Sequence, residues 1–130
     1  MNPSGTLFKW LSRILILHLL LVAAQALIAG AFMSGNDAAV LFHALVARLI
    51  LGICVLQIVV TILLRRRGGC PNWVLVSAFA ILICEAIEIY SGMRRGLVLH
   101  IPLALGIYGG IMRQGFWAIR ESRSAKEVTL

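Results

Sequence analysis

Charge is scarce in this sequence. Only 13% of its 130 residues are charged and only 5 are acidic, whereas 61% are apolar. A soluble domain of this length usually carries about twice that fraction of charge. A small chain also leaves much of its surface exposed, so it cannot bury this many apolar side chains in a core of its own. The composition therefore excludes an ordinary cytosolic domain and a disordered chain, and it predicts that the chain lies in lipid.

Cysteine is equally scarce, and no catalytic motif accompanies it. The three cysteines are an odd number and form no CxxC motif, which excludes a disulfide scaffold and gives no zinc site. We interpret Cys54 and Cys84 as packing residues, whereas Cys70 lies in a link and could be an exposed thiol. The chain also has no CxxCH motif, phosphate loop or nucleophile–base pair, so neither covalent haem attachment nor autonomous catalysis is expected.

Four long apolar runs lie between most of the few charged residues. The runs cover residues 7–33, 37–64, 73–92 and 97–119. Each exceeds or approaches the roughly 20 residues that a membrane helix needs. Because the links between the runs are short, neighbouring helices are expected to be antiparallel. The sequence thus predicts a single all-α domain, an integral membrane bundle of four transmembrane helices in up-and-down order.

The basic residues predict an orientation rather than a nucleic-acid partner. Twelve Lys and Arg against five acidic residues give a net charge of +7, but the basic residues punctuate apolar runs instead of forming one patch. The positive-inside rule favours cytoplasmic N- and C-termini, since only Arg94 and Arg95 fall on the other side. Trp10, Trp73 and Trp117 then lie at the cytoplasmic interface. The predicted location is a bacterial-type inner (plasma) membrane.

Two histidines within the spans predict a cofactor site. His43 and His100 both lie roughly 6–9 Å below the outer surface, counting 1.5 Å per residue, on helices that are diagonal partners in the bundle. The residues one turn below them are Ala47 and Ala104, which leave room for a flat ligand. Imidazole is a good ligand for iron, and helix bundles build cofactor sites from facing side chains. We therefore interpret the pair as axial ligands of a b-type haem, although each histidine could instead only hydrogen-bond a neighbouring helix.

The remaining polar side chains in the spans leave alternatives open. Glu85 is expected either to pair with Arg48, because a buried unpaired charge is costly, or, like Glu88, to orient a ligand histidine or take up protons. His18 lies about 10 Å below the histidine pair, with Gln25 two turns outward on the same face. An interhelical hydrogen bond is expected for His18 rather than a role as a ligand.

Arg94 and Arg95 lie at the outer mouth of the predicted bundle. Either they are solvated loop charges, or one of them pairs with the haem propionates. We favour the second interpretation because the propionate edge of a haem held at this depth would face outward.

His43 and His100, 57 positions apart, and the segment 99–103 (LHIPL) resemble one half of haem A synthase. The plan is also similar to that of other bacterial four-helix b-type cytochromes. The resemblance implies haem ligation by the two histidines and covers this whole chain, but only half of the two-part enzyme. Haem A synthase has a catalytic glutamate shortly before a histidine of its second helix. Here the only acid is Asp37, six positions before His43, so that activity is not expected.

The functional hypothesis from the sequence is a small membrane protein that holds one haem b. It would relay electrons or anchor a larger redox complex, with the lipid bilayer and other membrane subunits as partners. A cofactor-free accessory subunit is the alternative. A small transporter, with His18, Arg48 and the two glutamates as its polar path, is the third hypothesis.

Overall fold

The computed structural model describes residues 3–127, with side chains from residue 5 to residue 124. Four helices account for almost all of this part: α1 (Pro3–Met33), α2 (Ala38–Arg66), α3 (Asn72–Met93) and α4 (Leu97–Glu127). Each helix contains the greater part of one of the four apolar runs. The predicted all-α class is therefore confirmed.

The helices extend beyond the apolar runs at their charged ends. α2 continues two residues past the predicted end at residue 64, and α4 continues from residue 119 to Glu127. Residues 120–127 contain Arg, Glu, Ala and Lys, which favour helix, and contain neither Gly nor Pro to end it. Apolar content thus locates the spans, whereas helix propensity decides where the helices end.

The links are short because left-handed residues reverse the chain directly after a helix. Gly35 (φ +96°) follows α1 and Gly68 (φ +73°) follows α2, and both conformations suit a residue without Cβ. The third link uses Arg95 at φ +57°, a conformation uncommon for a residue with a side chain. With so few linking residues, consecutive helices must lie side by side.

Three of the helices are long and apolar enough to cross a membrane, namely Gly5–Met33, Ala38–Arg66 and Asn72–Met93. α4 is not among them. His100, Pro102, Arg113 and Gln114 interrupt its apolar part and lower its hydropathy. Length and composition are therefore consistent with a membrane location for three spans.

The four helices surround a common interior. α1 and α3 each pack against both α2 and α4, so α1 lies diagonally across from α3, and α2 from α4. The buried apolar core fills only the half that contains the start of α1, the end of α2, the start of α3 and the end of α4. Its fully buried members include Leu11, Leu15, Leu64, Val74, Ile111 and Ala118.

Aromatic rings close this packed end. The rings of Phe8 and Trp117 lie 5.7 Å apart, and those of Trp73 and Trp117 lie 5.9 Å apart, in both cases edge to face. The Arg113 guanidinium lies 4.4 Å from the centre of the Trp73 ring. Trp73 and Trp117 are thus at the same end of the bundle, while Trp10 is half exposed nearby on α1.

The cysteines are structural rather than reactive. All three are free, and both Cys54 and Cys70 are buried. Cys70 therefore is not the exposed thiol that its place in a link suggested, because the link folds back over the packed end. Burial raises the pKa of the Cys70 thiol, although nearby Arg65 acts in the opposite direction. A buried thiol with a raised pKa is a poor nucleophile.

Candidate functional site

The half of the bundle opposite the aromatic rings is hollow. It encloses a cavity of about 570 Å³ to which all four helices contribute. The volume falls within the roughly 300–1,000 Å³ typical of small-molecule and cofactor sites. The lining is apolar except for a few polar side chains, and it includes Ala23, Gln25, Ala26, Ala29 and Gly30 of α1, His43, Ala47 and Ile50 of α2, Glu85, Glu88 and Ile89 of α3, and His100, Ala104, Ile107 and Tyr108 of α4.

The lining residues that are exposed at the surface belong to α1 and α4. Lining residues on the facing edges of these helices are exposed, among them Gly30, Ile101 and Leu105. Small residues on α1 leave this side open, since Ala and Gly do not reach across to α4. A molecule in the cavity therefore has a lateral entrance lined by apolar side chains.

His43 and His100 face each other in this cavity. Their ring centres lie 6.3 Å apart, with the planes inclined by 50°. Ala47 and Ala104 line the cavity one turn below them. The matched depth expected from counting residues along α2 and α4 is thus what brings the two rings together.

The His100 ring is held from α3 through one nitrogen. Its Nδ1 donates to the backbone carbonyl of Glu88 at 3.1 Å, and the Glu88 carboxylate lies 3.2 Å from the same atom. This contact fixes the proton on Nδ1 when the ring is neutral, which leaves the Nε2 lone pair available to a ligand. A histidine that binds a metal is commonly oriented in this way by its second nitrogen.

His43 is held through its backbone. Gln25 Nε2 donates to the His43 carbonyl oxygen at 2.8 Å, which ties α1 to α2 beside the cavity. Within the described residues, His43 Nδ1 is buried and has no hydrogen-bond partner. A buried nitrogen without a partner is costly, so the site is incomplete at this atom without a further group.

Gly92, near the end of α3, packs against the His100 ring. A Cβ at this position would lie 3.0 Å from Cε1 and 3.4 Å from Nδ1 of His100. We therefore expect Gly92→Ala to displace the ring and break its bond to the Glu88 carbonyl, without loss of helix, because alanine favours helix over glycine by about 1 kcal/mol. The ¹⁵N signal of His100 Nδ1 in labelled protein measures this.

The matched control for this variant is Gly52→Ala on α2, where a Cβ meets nothing within 4 Å. The control should leave the His100 signal unchanged. An unchanged signal in Gly92→Ala as well would show that Gly92 does not confine the His100 ring.

A chain of buried polar side chains lies directly beneath the cavity. His18 Nδ1 lies 2.9 Å from Gln57 Oε1, and His18 Nε2 lies 2.7 Å from Glu85 Oε1. Gln57 Nε2 donates to Gln114 Oε1 at 2.7 Å, and Gln114 Nε2 donates to Ser77 Oγ at 2.7 Å. The chain links all four helices, and His18, Gln57 and Gln114 are fully buried.

The polar chain bears on two predictions from the sequence, one for His18 and one for Glu85. The interhelical hydrogen bonds expected for His18 are present. Glu85, however, does not pair with Arg48 as expected, because α3 turns Glu85 inward to His18 while Arg48 points outward and is exposed. Gln25 belongs to the His43 side of the cavity rather than to the chain.

Arg94 and Arg95 are exposed and are not among the residues that line the cavity. The Arg94 guanidinium lies 5.5 Å from the centre of the Tyr90 ring, and Arg95 forms the left-handed turn between α3 and α4. Their pairing with propionates stays a prediction.

Three members of the polar chain, Gln57, Gln114 and Ser77, were not predicted as site residues from the sequence. A signal for the glutamines exists: Gln57 follows His43 by 14 residues, and Gln114 follows His100 by 14 residues. Fourteen residues are close to four helical turns, so each glutamine shares a face with its histidine. Ser77 carries no such signal.

Metal ligation by a cluster of side chains has no support in the described part of the chain, where no group of three or more His, Cys, Asp or Glu could hold an ion. His43 and His100 are a pair, which suffices for the two axial positions of a haem but for no bare metal ion.

No protein-family model, curated protein or solved structure matches this chain. The resemblance to haem A synthase therefore stays a prediction.

Proposed function

We propose that this chain is an integral membrane protein that holds one b-type haem between His43 and His100. It relays electrons, either alone or as the membrane anchor of a larger redox complex. The observation that carries the proposal is the pair of facing imidazoles inside a largely apolar cavity.

The spacing of the rings supports the haem. Two imidazoles on opposite sides of one metal have their ring centres roughly 6 Å apart, because each ligand nitrogen lies about 2 Å from a bound first-row metal. The distance of 6.3 Å between His43 and His100 agrees with this. The buried His43 nitrogen without a partner and the fixed proton on His100 Nδ1 both suit ligation.

The exposed apolar surface supports a location in the membrane. Large apolar side chains are exposed along all four helices, such as Leu27, Val76 and Val98, which are 78%, 67% and 94% exposed. Lipid is the solvent in which such a surface is stable. We assign four spans, including α4, whose polar residues Gln114 and His100 point inward and whose exposed residues from Leu97 to Met112 are apolar.

The contacts between α1 and α2 support an antiparallel, up-and-down arrangement. His18 meets Gln57, whereas Gln25, further along α1, meets the earlier His43. With the basic residues kept inside, both termini are cytoplasmic and the cavity opens near the outer face of the inner membrane. Arg94 and Arg95 then lie at the outer surface, within reach of propionates.

A bound haem would supply one-electron redox chemistry at its iron. His43 and His100 would hold the iron through one ring nitrogen each, and burial and the fixed orientation of His100 are among the factors that would set its potential. The exposed outer edge leaves a route for electrons to a partner subunit.

Absorption spectroscopy of the three single-histidine variants tests this proposal. We expect purified protein, supplied with haem, to show reduced-minus-oxidised bands that are lost in His43→Ala and in His100→Ala. His18→Gln is the matched control, since His18 lies beneath the cavity, and it should keep the bands. Circular dichroism should show that all three variants are helical.

Two outcomes reject the proposal. A helical, well-behaved protein that takes up no haem would favour the cofactor-free accessory subunit instead. Bands that survive in both His43→Ala and His100→Ala would place the haem elsewhere.

A further inference from the structure

With the Gln57 amide oxygen facing His18, the hydrogen bonds of the pair His18–Glu85 need one proton more than a neutral imidazole and a carboxylate contain. His18 Nδ1 faces the amide oxygen of Gln57, which cannot donate, so Nδ1 carries a hydrogen. The contact of 2.7 Å between His18 Nε2 and Glu85 Oε1 needs a second hydrogen. Either the imidazole is doubly protonated or Glu85 is a carboxylic acid. In both forms the pair has no net charge, which suits its complete burial.

The amide chain behind this pair can run in either direction. As arranged, His18 donates to Gln57, Gln57 to Gln114, Gln114 to Ser77, and Ser77 to the Val74 carbonyl. If both amides turn over and the Ser77 hydroxyl rotates to donate to Gln114, the contacts from His18 to Ser77 run in reverse and His18 Nδ1 becomes an acceptor. The Ser77 bond to the Val74 carbonyl is lost in this arrangement. The reversed chain fits a pair that has lost one proton. The polar chain therefore has two hydrogen-bonding arrangements that differ by one proton.

Glu85 is the member of the pair that borders the cavity. It is 3% exposed and lines the cavity, and its Oε2 is buried with no hydrogen-bond partner in the described part of the chain. The other oxygen is occupied by His18. Glu85 is thus the side chain of the pair through which a proton from the cavity would pass.

We propose that His18 and Glu85 form a proton-binding site that serves the cavity and takes up one proton when the group bound there gains an electron. The proposal rests on the proposed function in one respect, since the electron is the one that reduces haem iron. An external reductant supplies that electron and water supplies the proton. The proton binds the pair, and the polar chain takes the direction in which His18 Nδ1 donates to Gln57.

Other titratable groups face the pair or its cavity. They are Cys54 and His43 of α2, Glu88 of α3, and His100 and Tyr108 of α4. The Cys54 thiol interacts with the Glu85 carboxylate. Glu88 is engaged with His100. His18 is therefore the partner whose protonation state reports on Glu85.

The first experiment reads the proton directly and needs no haem. ¹⁵N NMR of histidine-labelled full-length protein follows the ring nitrogens of His18 through a pH series. We expect Nδ1 to be protonated at low pH and to become an acceptor at higher pH, together with a shift of the Gln57 amide. In Glu85→Gln, His18 should instead keep one neutral form throughout. Asp37→Asn, which removes an exposed carboxylate outside the spans, should behave as wild type.

The second experiment reads the coupling. In the haem-loaded protein, we expect the midpoint potential to fall as pH rises, by up to about 59 mV for each tenfold change in proton activity. In the fraction of Glu85→Gln that is loaded with haem, most of this slope should be lost. Asp37→Asn should keep it.

The outcomes separate the two proposals. Equal His18 signals and equal slopes in wild type and Glu85→Gln overturn the proton-binding site while leaving the haem in place. A protein that takes up no haem overturns the proposed function, and the NMR comparison then decides the proton site by itself.

Discussion

Replacing His18 with leucine should lower the free energy of unfolding by about 3 kcal/mol, the scale expected when one partner of a buried pair is removed. Glu85 would lose its hydrogen bond to His18 while remaining 3% exposed, and the Gln57 amide oxygen would lose the hydrogen bond from His18. Hydrogen bonds between membrane helices contribute on average only about 0.6 kcal/mol. The larger figure applies here because the loss leaves an ionisable group buried without a partner.

A double-mutant cycle with Glu85→Leu isolates the contribution of the pair. Titration of detergent-solubilised protein with denaturant, followed by circular dichroism, gives the free energies. We expect His18→Leu/Glu85→Leu to be destabilised by clearly less than the sum of the two single variants, because the double variant buries no unpaired carboxylate. Leu20→Ala, at a 62% exposed position on α1, should change stability by less than about 0.5 kcal/mol. Additive single effects would show that the two side chains do not depend on each other.

Filling the cavity should have the second large effect. Ala104 lines it one turn below His100, and a phenylalanine there would occupy the space between the helices. We expect Ala104→Phe to lose haem binding, because a close-packed interior cannot hold both the ring and a flat cofactor. Stability without haem should rise by about 1–2 kcal/mol, since the new side chain is buried in existing space. Haem bands and denaturant titration measure the two effects.

The opposite signs of these two effects distinguish cavity filling from simple damage. Ala86→Phe on the exposed face of α3 is the matched control, and it should leave both haem binding and stability close to wild type. Haem bands of unchanged position and intensity in Ala104→Phe would mean that the cofactor does not occupy the cavity. A variant that loses both haem and helix would mean that the cavity is too small to accept a phenyl ring.

The sequence was sufficient for the elements and for the depth of the histidines. Long apolar runs mark spans because a bilayer sets their minimum length, and depth follows from a fixed rise per residue. The sequence alone therefore predicts the same depth for His43 and His100. The end of α4 could not be placed, because residues 120–127 favour helix although they are not apolar.

The partner of Glu85 could not be predicted for a different reason. Which side chain it meets depends on how far each helix is rotated about its axis. Apolar residues surround α1 and α3 on most sides, so hydrophobicity fixes that rotation only weakly. The sequence offered Arg48 as one partner of Glu85, whereas in the folded bundle Glu85 meets His18.

The polar chain beneath the cavity also bears on biogenesis. Its members come from all four helices, and Gln114 lies on α4, which follows the other three in chain order. In a bundle that inserts into lipid from the N-terminus, His18 and Gln57 would enter before Gln114 has been synthesised. Until α4 inserts, the earlier helices would hold polar groups that hydrocarbon cannot satisfy. α4 would therefore complete the hydrogen bonding of the polar chain, and a protein truncated before α4 should be a substrate for membrane quality control.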